Sequence, residues 1–252
     1  YTAYCKYHGF EDYRGGGHFS GRITAALVAA GAIALSALEG KGILIGTHIA
    51  RCAGIPDRGF MDLQEDIRNL SGTGFAVLDN EAAGKMREAM EQAAKEGDSV
   101  GGIIECAATG LPAGLGEHMF DGVEGRLSAA LFGIPAVKGV EFGTGFGLAA
   151  MTGSTANDPI RMESGRYVTA SNHNGGINGG ITNGMPVVFS CAVKPTPSIF
   201  KQQNTVNFIK NEDAVLNIKG RHDPCVVVRA VPIVEAALAV GILDCIMEKN
   251  TR

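Results

Sequence analysis

The sequence lacks the features expected of a protein that coats nucleic acid, spans a membrane or is exported. Lys and Arg total 22 against 26 Asp and Glu, giving a formal net charge of −4 and no basic excess for phosphate backbones. The longest strongly apolar stretch, Ile23 to Leu38, has 16 residues, fewer than the roughly 20 that span a bilayer. No secretory signal peptide is recognisable, so we expect a cytoplasmic protein with no membrane or nucleic-acid partner.

The sequence also lacks closely spaced cysteine pairs. Because none has CxxC spacing, a structural zinc site and a thioredoxin-type redox motif are both disfavoured, and no metal site is predicted. The pattern instead predicts reduced, mostly buried thiols. The six cysteines are Cys5, Cys52, Cys106, Cys191, Cys225 and Cys245.

Glycine, in contrast, is abundant: 36 of 252 residues, about twice the usual share. The glycines follow no collagen period, and ordinary hydrophobic segments separate them, so we expect an ordered core with many close backbone approaches. Apolar side chains make up 45% of the chain, which is enough for a large buried core. Because helices and strands are mixed and no linker is evident, residues 1–252 are expected to form a single domain of α/β or α+β class.

Local patterns place several regular elements. Four segments predict helices, at residues 20–38, 79–95, 121–132 and 232–248. Ser20 and Asn80 are suitable caps for the first two, Gly133 would end the third, and Pro232 would lie near the first turn of the last. The charged helix at 79–95 is interpreted as a solvated helix face. Four segments predict strands, at residues 42–49, 99–107, 137–142 and 186–193.

Three polar segments have the composition of binding loops. The first, RGGGHFSGR at 14–22, places glycines and two arginines before a helix, which suits an anion, although a plain glycine turn fits equally well. The second, residues 172–184, combines asparagine and glycine, and it favours close approach to a flat ligand over a plain surface loop. The third joins KPTPS at 194–198 with GRHDPC at 220–225. There an Asp beside His and Arg can act as a base or relay, or form an exposed surface ion pair.

A fourth segment, GTGFG at 143–147, does not support a dinucleotide site. The third glycine of a GxGxxG fingerprint would fall at Leu148. No acidic residue follows a second strand at the expected distance.

Together these segments resemble the chorismate synthase family, in the family's order and over nearly the whole chain. They are DYRGGGHFSGR at 12–22, LPAGLG at 111–116, MFDGVEGR at 119–126, AVKGVEFG at 136–143, SNHNGGINGG at 171–180, KPTPS at 194–198 and GRHDPCVVVRAVP at 220–232. The resemblance implies an α+β fold, a β-α-β sandwich with helices packed between antiparallel sheets. It implies a lyase of the shikimate pathway that converts 5-enolpyruvylshikimate 3-phosphate to chorismate by 1,4-elimination of phosphate. It further implies reduced FMN as cofactor, NADPH as an optional reductant, and a homotetramer.

The resemblance also implies roles for individual residues. Asp223 matches an aspartate proposed to relay a proton from the flavin, and Arg22 and Arg229 match arginines that face the substrate's anionic groups. The family often has Arg-Ser-Ser where this chain has His18, Phe19 and Ser20, so these three are expected to act through their backbone. The implied flavin contacts are His18, Phe19, Ser20, Pro135, Ala136, Gly179, Lys194, Pro195, Thr196, Pro197, Ser198 and Arg221.

The chain departs from the family in one respect. The family carries an N-terminal segment with a Gly-Glu-Ser-His motif and an Arg-Pro-x-His-Ala-Asp motif, whose histidines are its general acids, and residues 1–252 contain neither motif. We therefore expect this chain alone to be inactive. Two alternatives stay open: a non-catalytic flavin-binding or assembly module, and a phosphate-binding enzyme of another family.

Overall fold

The computed structural model describes residues 1–220 and 222–251, and its centre is a five-stranded antiparallel sheet. The strand order is β2-β1-β3-β9-β4, and three separate hairpins pair β5 with β6, β7 with β8, and β10 with β11. The strands are β1 Leu44–Cys52, β2 Ile55–Pro56, β3 Gly102–Thr109, β4 Val137–Phe142, β5 Ile160–Glu163, β6 Arg166–Thr169, β7 Ile177–Asn178, β8 Ile181–Thr182, β9 Val187–Val193, β10 Gln203–Asn207 and β11 Glu212–Leu216.

Helices cover much of this sheet. The α-helices are α1 Thr2–Tyr7, α2 Ala25–Glu39, α3 Leu63–Leu70, α4 Asn80–Lys95, α5 Val123–Phe132, α6 Gly153–Ala156 and α7 Val227–Thr251. Short 3₁₀ turns lie at Arg14–Phe19, Gly21–Thr24, Met119–Asp121 and Gly145–Ala150. The α+β class, with helices packed against antiparallel sheets, is thereby confirmed.

The two faces of the sheet carry different helices because side chains alternate along a strand. Thr47 of β1 points toward α7, where it bonds to Glu235, while Gly46 points toward α3, where Ile67 leaves no room for a Cβ atom. On the far side of α7 lies α2, and the two helices meet where Gly31 packs directly on Ala236. The core is therefore layered as α3, sheet, α7 and α2.

Local patterns predicted most element boundaries correctly. Two details, the cap of α4 and the position of Pro232, were predicted incorrectly. The strand at Val137–Phe142 and the helix end at Gly133 are confirmed. The cap of α4 is Asp79, not Asn80, since the Asp79 carboxylate accepts from the Glu81 N–H. Pro232 lies inside α7 rather than in its first turn. There, burial of neighbours such as Val231 outweighs the one backbone hydrogen bond that proline removes.

Within the described parts of the chain, two helices are long and apolar enough to cross a membrane by length and composition: residues 21–39 and 227–249. The sequence-based count of 16 residues was shorter because it stopped at the charged Arg22 and Glu39. In the second of these helices, 56% of the apolar 18-residue window is buried inside the molecule. Such burial is the behaviour of a core helix, which passes the same test of length and composition.

A buried polar cluster joins β1 and β3 to the segment before α4. The His48 imidazole, whose side chain is fully buried, bonds to Asp57 Oδ2 at 2.8 Å and to Glu105 Oε2 at 2.9 Å. Asp57 also accepts the backbone N–H groups of Leu78 and Asp79. Burial opposes protonation of His48, but the two carboxylates outweigh it and raise the pKa of His48.

Candidate functional site

Several of the predicted residues meet at one end of the central sheet. Strand β4 begins and strand β9 ends there, since Val137 pairs with Val193. The next residue, Lys194, donates its backbone N–H to the Ala136 carbonyl at 2.9 Å. Pro135, Ala136 and Lys194 are therefore adjacent. Ala136 has a φ of +76°, a conformation that is costly for a side-chain-bearing residue and is found preferentially at functional positions.

The loop of residues 194–198 is held against the start of β3. Ser99 donates its hydroxyl to the Thr196 carbonyl at 2.7 Å. Gly101 packs so closely on the chain between Val193 and Pro195 that a Cβ atom there would lie 2.9 Å from the Pro195 ring. The loop conformation is thus fixed from outside as well as by its two prolines.

The turn that carries Asp223 joins the same end of the sheet. Val100 donates its N–H to the Pro224 carbonyl at 2.8 Å. Asp223 accepts the Cys225 N–H at Oδ1, and its Oδ2 pairs with Arg229 Nε at 2.6 Å. The predicted catalytic carboxylate and one predicted substrate arginine are therefore in direct contact. The predicted flavin contact Arg221 lies outside the described residues.

Asp223 and Arg229 line a cleft of about 390 Å³ between α4 and the start of α7. Helix α4 contributes Arg87 and Glu91, and the Arg87 guanidinium lies 4.1 Å from the centre of the Phe75 ring. Sequence analysis missed Arg87, because it treated α4 only as a solvated helix face. The available signal was the helical spacing of residues 87, 90, 91 and 94, which share one side of the helix and line the cleft.

Two buried polar atoms at this end of the sheet have no hydrogen-bond partner among the residues that the structure describes: Thr196 Oγ1 and His222 Nε2. Such atoms cost stability unless a partner is supplied. The His222 ring also packs on Phe200, with centroids 5.0 Å apart. A ligand with both donors and acceptors, beside a lysine and an arginine, fits this donor set. A flavin mononucleotide has that chemistry in its ring system, hydroxyl chain and phosphate.

The predicted residues before α2 lie in or between two 3₁₀ turns. Ser20 caps the 3₁₀ turn that contains Arg22, whose N–H it accepts at 3.3 Å, and Phe19 packs near Tyr7.

Helix α2 ends beside the start of β1, because the Ile43 N–H bonds to the Leu38 carbonyl, and β1 starts at the end of the sheet opposite Lys194. Helix α7 runs from the Asp223 turn toward that same end, where Lys249 bonds to the Ala113 carbonyl, so α2 and α7 run in the same direction where Gly31 meets Ala236. The N-terminal end of α2, which Arg22 precedes, is therefore directed toward the end of the sheet that carries Lys194 and Asp223.

Gly179 lies apart from the Lys194 loop. It forms the turn between β7 and β8, and the next residue, Gly180, accepts the Val123 N–H. Thr182 donates its hydroxyl to the Pro112 carbonyl, beyond the C-terminal end of β3. Gly179 thus lies at the opposite end of the sheet from Lys194, and the seven residues of β9 separate the two ends by about 23 Å.

The asparagine–glycine segment is organised by Asp158, a residue that sequence analysis did not single out. Its carboxylate is 2% exposed and accepts the Ser171 hydroxyl, the backbone N–H groups of His173 and Asn174, and the Asn174 side-chain amide, at 2.6–2.9 Å. Burial alone would raise the pKa of Asp158, but these donors outweigh it and lower the pKa to about 2. No local pattern identifies such a residue, because its partners lie 13 to 16 positions away.

Replacing Asp158 with asparagine is expected to loosen residues 171–176 and remove about 2 kcal/mol of stability at neutral pH. Because the folded pKa is depressed below 3.8, wild-type stability from this group is complete above pH 4 and is lost as the pH falls toward 2. The measurement is urea unfolding of both proteins between pH 2.5 and 7. A difference that stays constant across this range would contradict the prediction. The exposed Asp213→Asn variant on β11 is the control.

Comparison with known proteins identifies the family of this chain. The family model for chorismate synthase matches residues 1–247. Curated chorismate synthases from Dehalococcoides mccartyi (strain BAV1), Korarchaeum cryptofilum and Thermococcus kodakarensis are 49%, 47% and 45% identical over 245, 248 and 250 residues. These matches cover 97%, 98% and 99% of this chain and 67%, 68% and 69% of the relatives. The chain therefore spans about two thirds of their length.

A solved structure described as a crystal structure of chorismate synthase superposes with a TM-score of 0.81 at 29% sequence identity. The match covers 98% of this chain and 70% of that one. Fold, sequence and the order of the motifs thus agree, and the chain belongs to the chorismate synthase family.

Proposed function

We propose that this chain supplies the Asp223–Lys194 part of a chorismate synthase active site. The reaction is the 1,4-elimination of phosphate from 5-enolpyruvylshikimate 3-phosphate, giving chorismate for aromatic amino acid biosynthesis in the cytoplasm. The enzyme class is a phosphate-eliminating carbon–oxygen lyase. The observation that carries the proposal is the convergence of Asp223, Arg229 and the Lys194 loop at one end of the sheet.

In this proposal the Lys194 loop and the Pro135–Ala136 turn hold the flavin. Lys194 supplies a positive charge, and the buried Thr196 hydroxyl and His222 Nε2 supply hydrogen bonds that no described residue of the chain takes up. When bound, reduced FMN supplies electron density to the allylic system of the substrate. The protein binds the flavin, orients it and limits access of water.

Asp223 and Arg229 act on the substrate side. The substrate carries two carboxylates and a phosphate, so arginines are suitable partners, and Arg229 is 80% exposed at the cleft. Its ion pair with Asp223 holds the carboxylate in one orientation. Oδ1 and Oδ2 of Asp223 are the atoms at which a proton would be held and passed on.

Assembly of several copies is part of the proposal. Gly179 and Lys194 lie at opposite ends of the sheet within one chain, too far apart to touch the same ligand. A homotetramer would allow loops of neighbouring copies to meet, and their separation supports that arrangement. The source of electrons for the flavin, either NADPH or a separate reductase, is a property of the assembled enzyme.

The test is a titration of the chain with oxidised and reduced FMN, with and without 5-enolpyruvylshikimate 3-phosphate. We expect binding that the substrate strengthens. Lys194→Ala should weaken FMN binding about tenfold, because one charge-assisted contact is lost. Lys41→Ala, an exposed lysine at the other end of the sheet, should leave it unchanged. Equal binding by both variants would contradict the proposal.

A second candidate, a non-catalytic flavin-binding or assembly module, follows from the two-thirds coverage of the relatives. The same titration, followed by a turnover assay, separates the two candidates. The module predicts FMN binding without turnover, even when the remaining third of a relative's sequence is added. The enzyme predicts that turnover appears on that addition.

A further inference from the structure

Two thiols meet behind the Asp223 turn. Cys52 is the last residue of β1, and Cys225 follows Asp223 by two positions. Their Sγ atoms are 3.6 Å apart, and the residues are 0% and 3% exposed. Both belong to the hydrophobic core, and packing there holds the contact in place. Cysteines at such a distance can form a disulfide after a small movement.

The two sulfur atoms are chemically unequal. The hydrogen bond shared by the two thiols lowers the pKa of Cys225 and raises that of Cys52. The backbone N–H groups of Val227 and Val228, at the start of α7, also lower the pKa of Cys225. A thiolate at Cys225 is therefore stabilised in the way that helix N-termini activate reactive cysteines.

Cys225 is also the sulfur that a small reagent can reach. It lines the cleft of about 390 Å³ together with Arg87, Arg229 and Asp223. The cleft is lined by two guanidinium groups, Arg87 and Arg229, and by two carboxylates, Glu91 and Asp223, which suits a small reagent that carries both carboxylate and ammonium groups. Cys52 does not line the cleft, so it is placed to resolve a bond formed first at Cys225.

We propose that Cys52 and Cys225 form a reversible disulfide by exchange with a small, carboxylate-bearing disulfide. The Cys225 thiolate attacks one sulfur of that disulfide, and one small thiolate leaves. Cys52 then loses its proton and attacks Cys225 Sγ, forming the Cys52–Cys225 bond and releasing a second small thiol. The protein loses two electrons and two protons, and the small disulfide is reduced to two thiols.

This bond would fix the Asp223 turn to the end of β1. Asp223 Oδ1 already accepts the Cys225 N–H, so movement of Cys225 toward Cys52 is transmitted directly to the carboxylate that pairs with Arg229. The proposal concerns the thiols alone and does not depend on flavin binding.

The test uses glutathione disulfide as the probe, on the Cys5→Ser variant, because Cys5 is the exposed cysteine and would react by itself. Five thiols remain in that variant, and oxidation should leave three free. Peptide mapping by mass spectrometry should find the Cys52–Cys225 bond, and dithiothreitol should restore five thiols. The long loop between the two cysteines predicts a rise in Tm of about 10 °C on oxidation.

Controls separate this pair from general oxidation. Adding Cys225→Ser or Cys52→Ser should abolish the cross-link, whereas adding Cys245→Ser should leave it at full yield. Cys106 and Cys191 should stay reduced, since burial raises the pKa of both thiols. Five free thiols after prolonged exposure, a different cross-linked pair, or a mixed disulfide at Cys225 that Cys52 does not resolve would each overturn the proposal.

Discussion

Replacing Gly31 with leucine is expected to lower the free energy of unfolding by about 3 kcal/mol, because α2 and α7 cannot remain in contact. Any Cβ at position 31 would overlap the Ala236 methyl group and lie 2.6 Å from the Ala236 Cα. Backbone atoms cannot move aside as a flexible side chain does, so the helices must separate. In a chain of this size the change corresponds to a fall in Tm of about 10 °C.

The matched control is Gly84→Leu in the middle of α4. A Cβ there meets nothing within 4 Å, so the gain in helix propensity of about 0.5–1 kcal/mol acts alone and raises stability. Urea unfolding of the two variants therefore tests one substitution in two helices with opposite expected signs. A fall at both positions, or none at Gly31, would show that α2 does not pack on α7 as described.

This contrast shows what composition can predict about glycine. The abundance of glycine indicated close backbone approaches, and Gly31 and Gly101 are such positions. Which glycines are constrained was not predictable, because the partners are remote: Gly31 meets a residue more than 200 positions away. Gly84 sits in the same kind of helical sequence and has open space.

Elements fixed by short-range signals were predicted well. The strand at Val137–Phe142 and the helix end at Gly133 depend on β-branched residues and a glycine stop within a few positions. Pro232 was placed incorrectly, because its local preference for the first turn is overridden by the packing of α7 against the sheet. Local propensity determines where an element begins and ends only if tertiary contacts do not override it.

The same distinction between short-range signals and tertiary contacts applies to the candidate site. The sequence grouped the Lys194 loop with the Asp223 turn, and the structure joins them through residues 99–101. Arg87 and Asp158 were missed, since the cleft and the loop they serve exist only in the folded chain. Gly179 matched a family motif, but the fold places it at the end of the sheet opposite Lys194. The site roles of these residues stay predictions.

Replacing His48 with leucine is expected to cost at least about 3 kcal/mol at pH 6, the largest effect on stability that we predict for a single change. Leucine fits an apolar core, but it leaves the fully buried Asp57 carboxylate without its charged partner. Two backbone N–H groups still bond to Asp57. Glu105 is 23% exposed and can turn toward water, so most of the cost falls on Asp57.

The pH dependence of this effect has a definite sign. The pKa of His48 is raised above 6.5 in the folded protein, so the stability it supplies is complete below pH 6.5 and declines as the pH rises through the folded value. The pKa of Asp57 is lowered below 3.8, so its contribution is complete above pH 4 and declines on acidification. The difference in unfolding free energy between wild type and His48→Leu should therefore be largest between pH 4 and 6.5 and smaller on either side.

Urea unfolding from pH 3 to 9 measures that difference. His118→Leu is the control, because His118 is 79% exposed and faces Glu117 only at 4.0 Å; its stability should follow wild type at every pH. If His48→Leu also follows wild type, the imidazole is not the charged link between β1, β3 and the segment before α4. If its deficit persists unchanged to pH 9, neutral hydrogen bonds and packing, rather than the imidazolium, hold these three elements together.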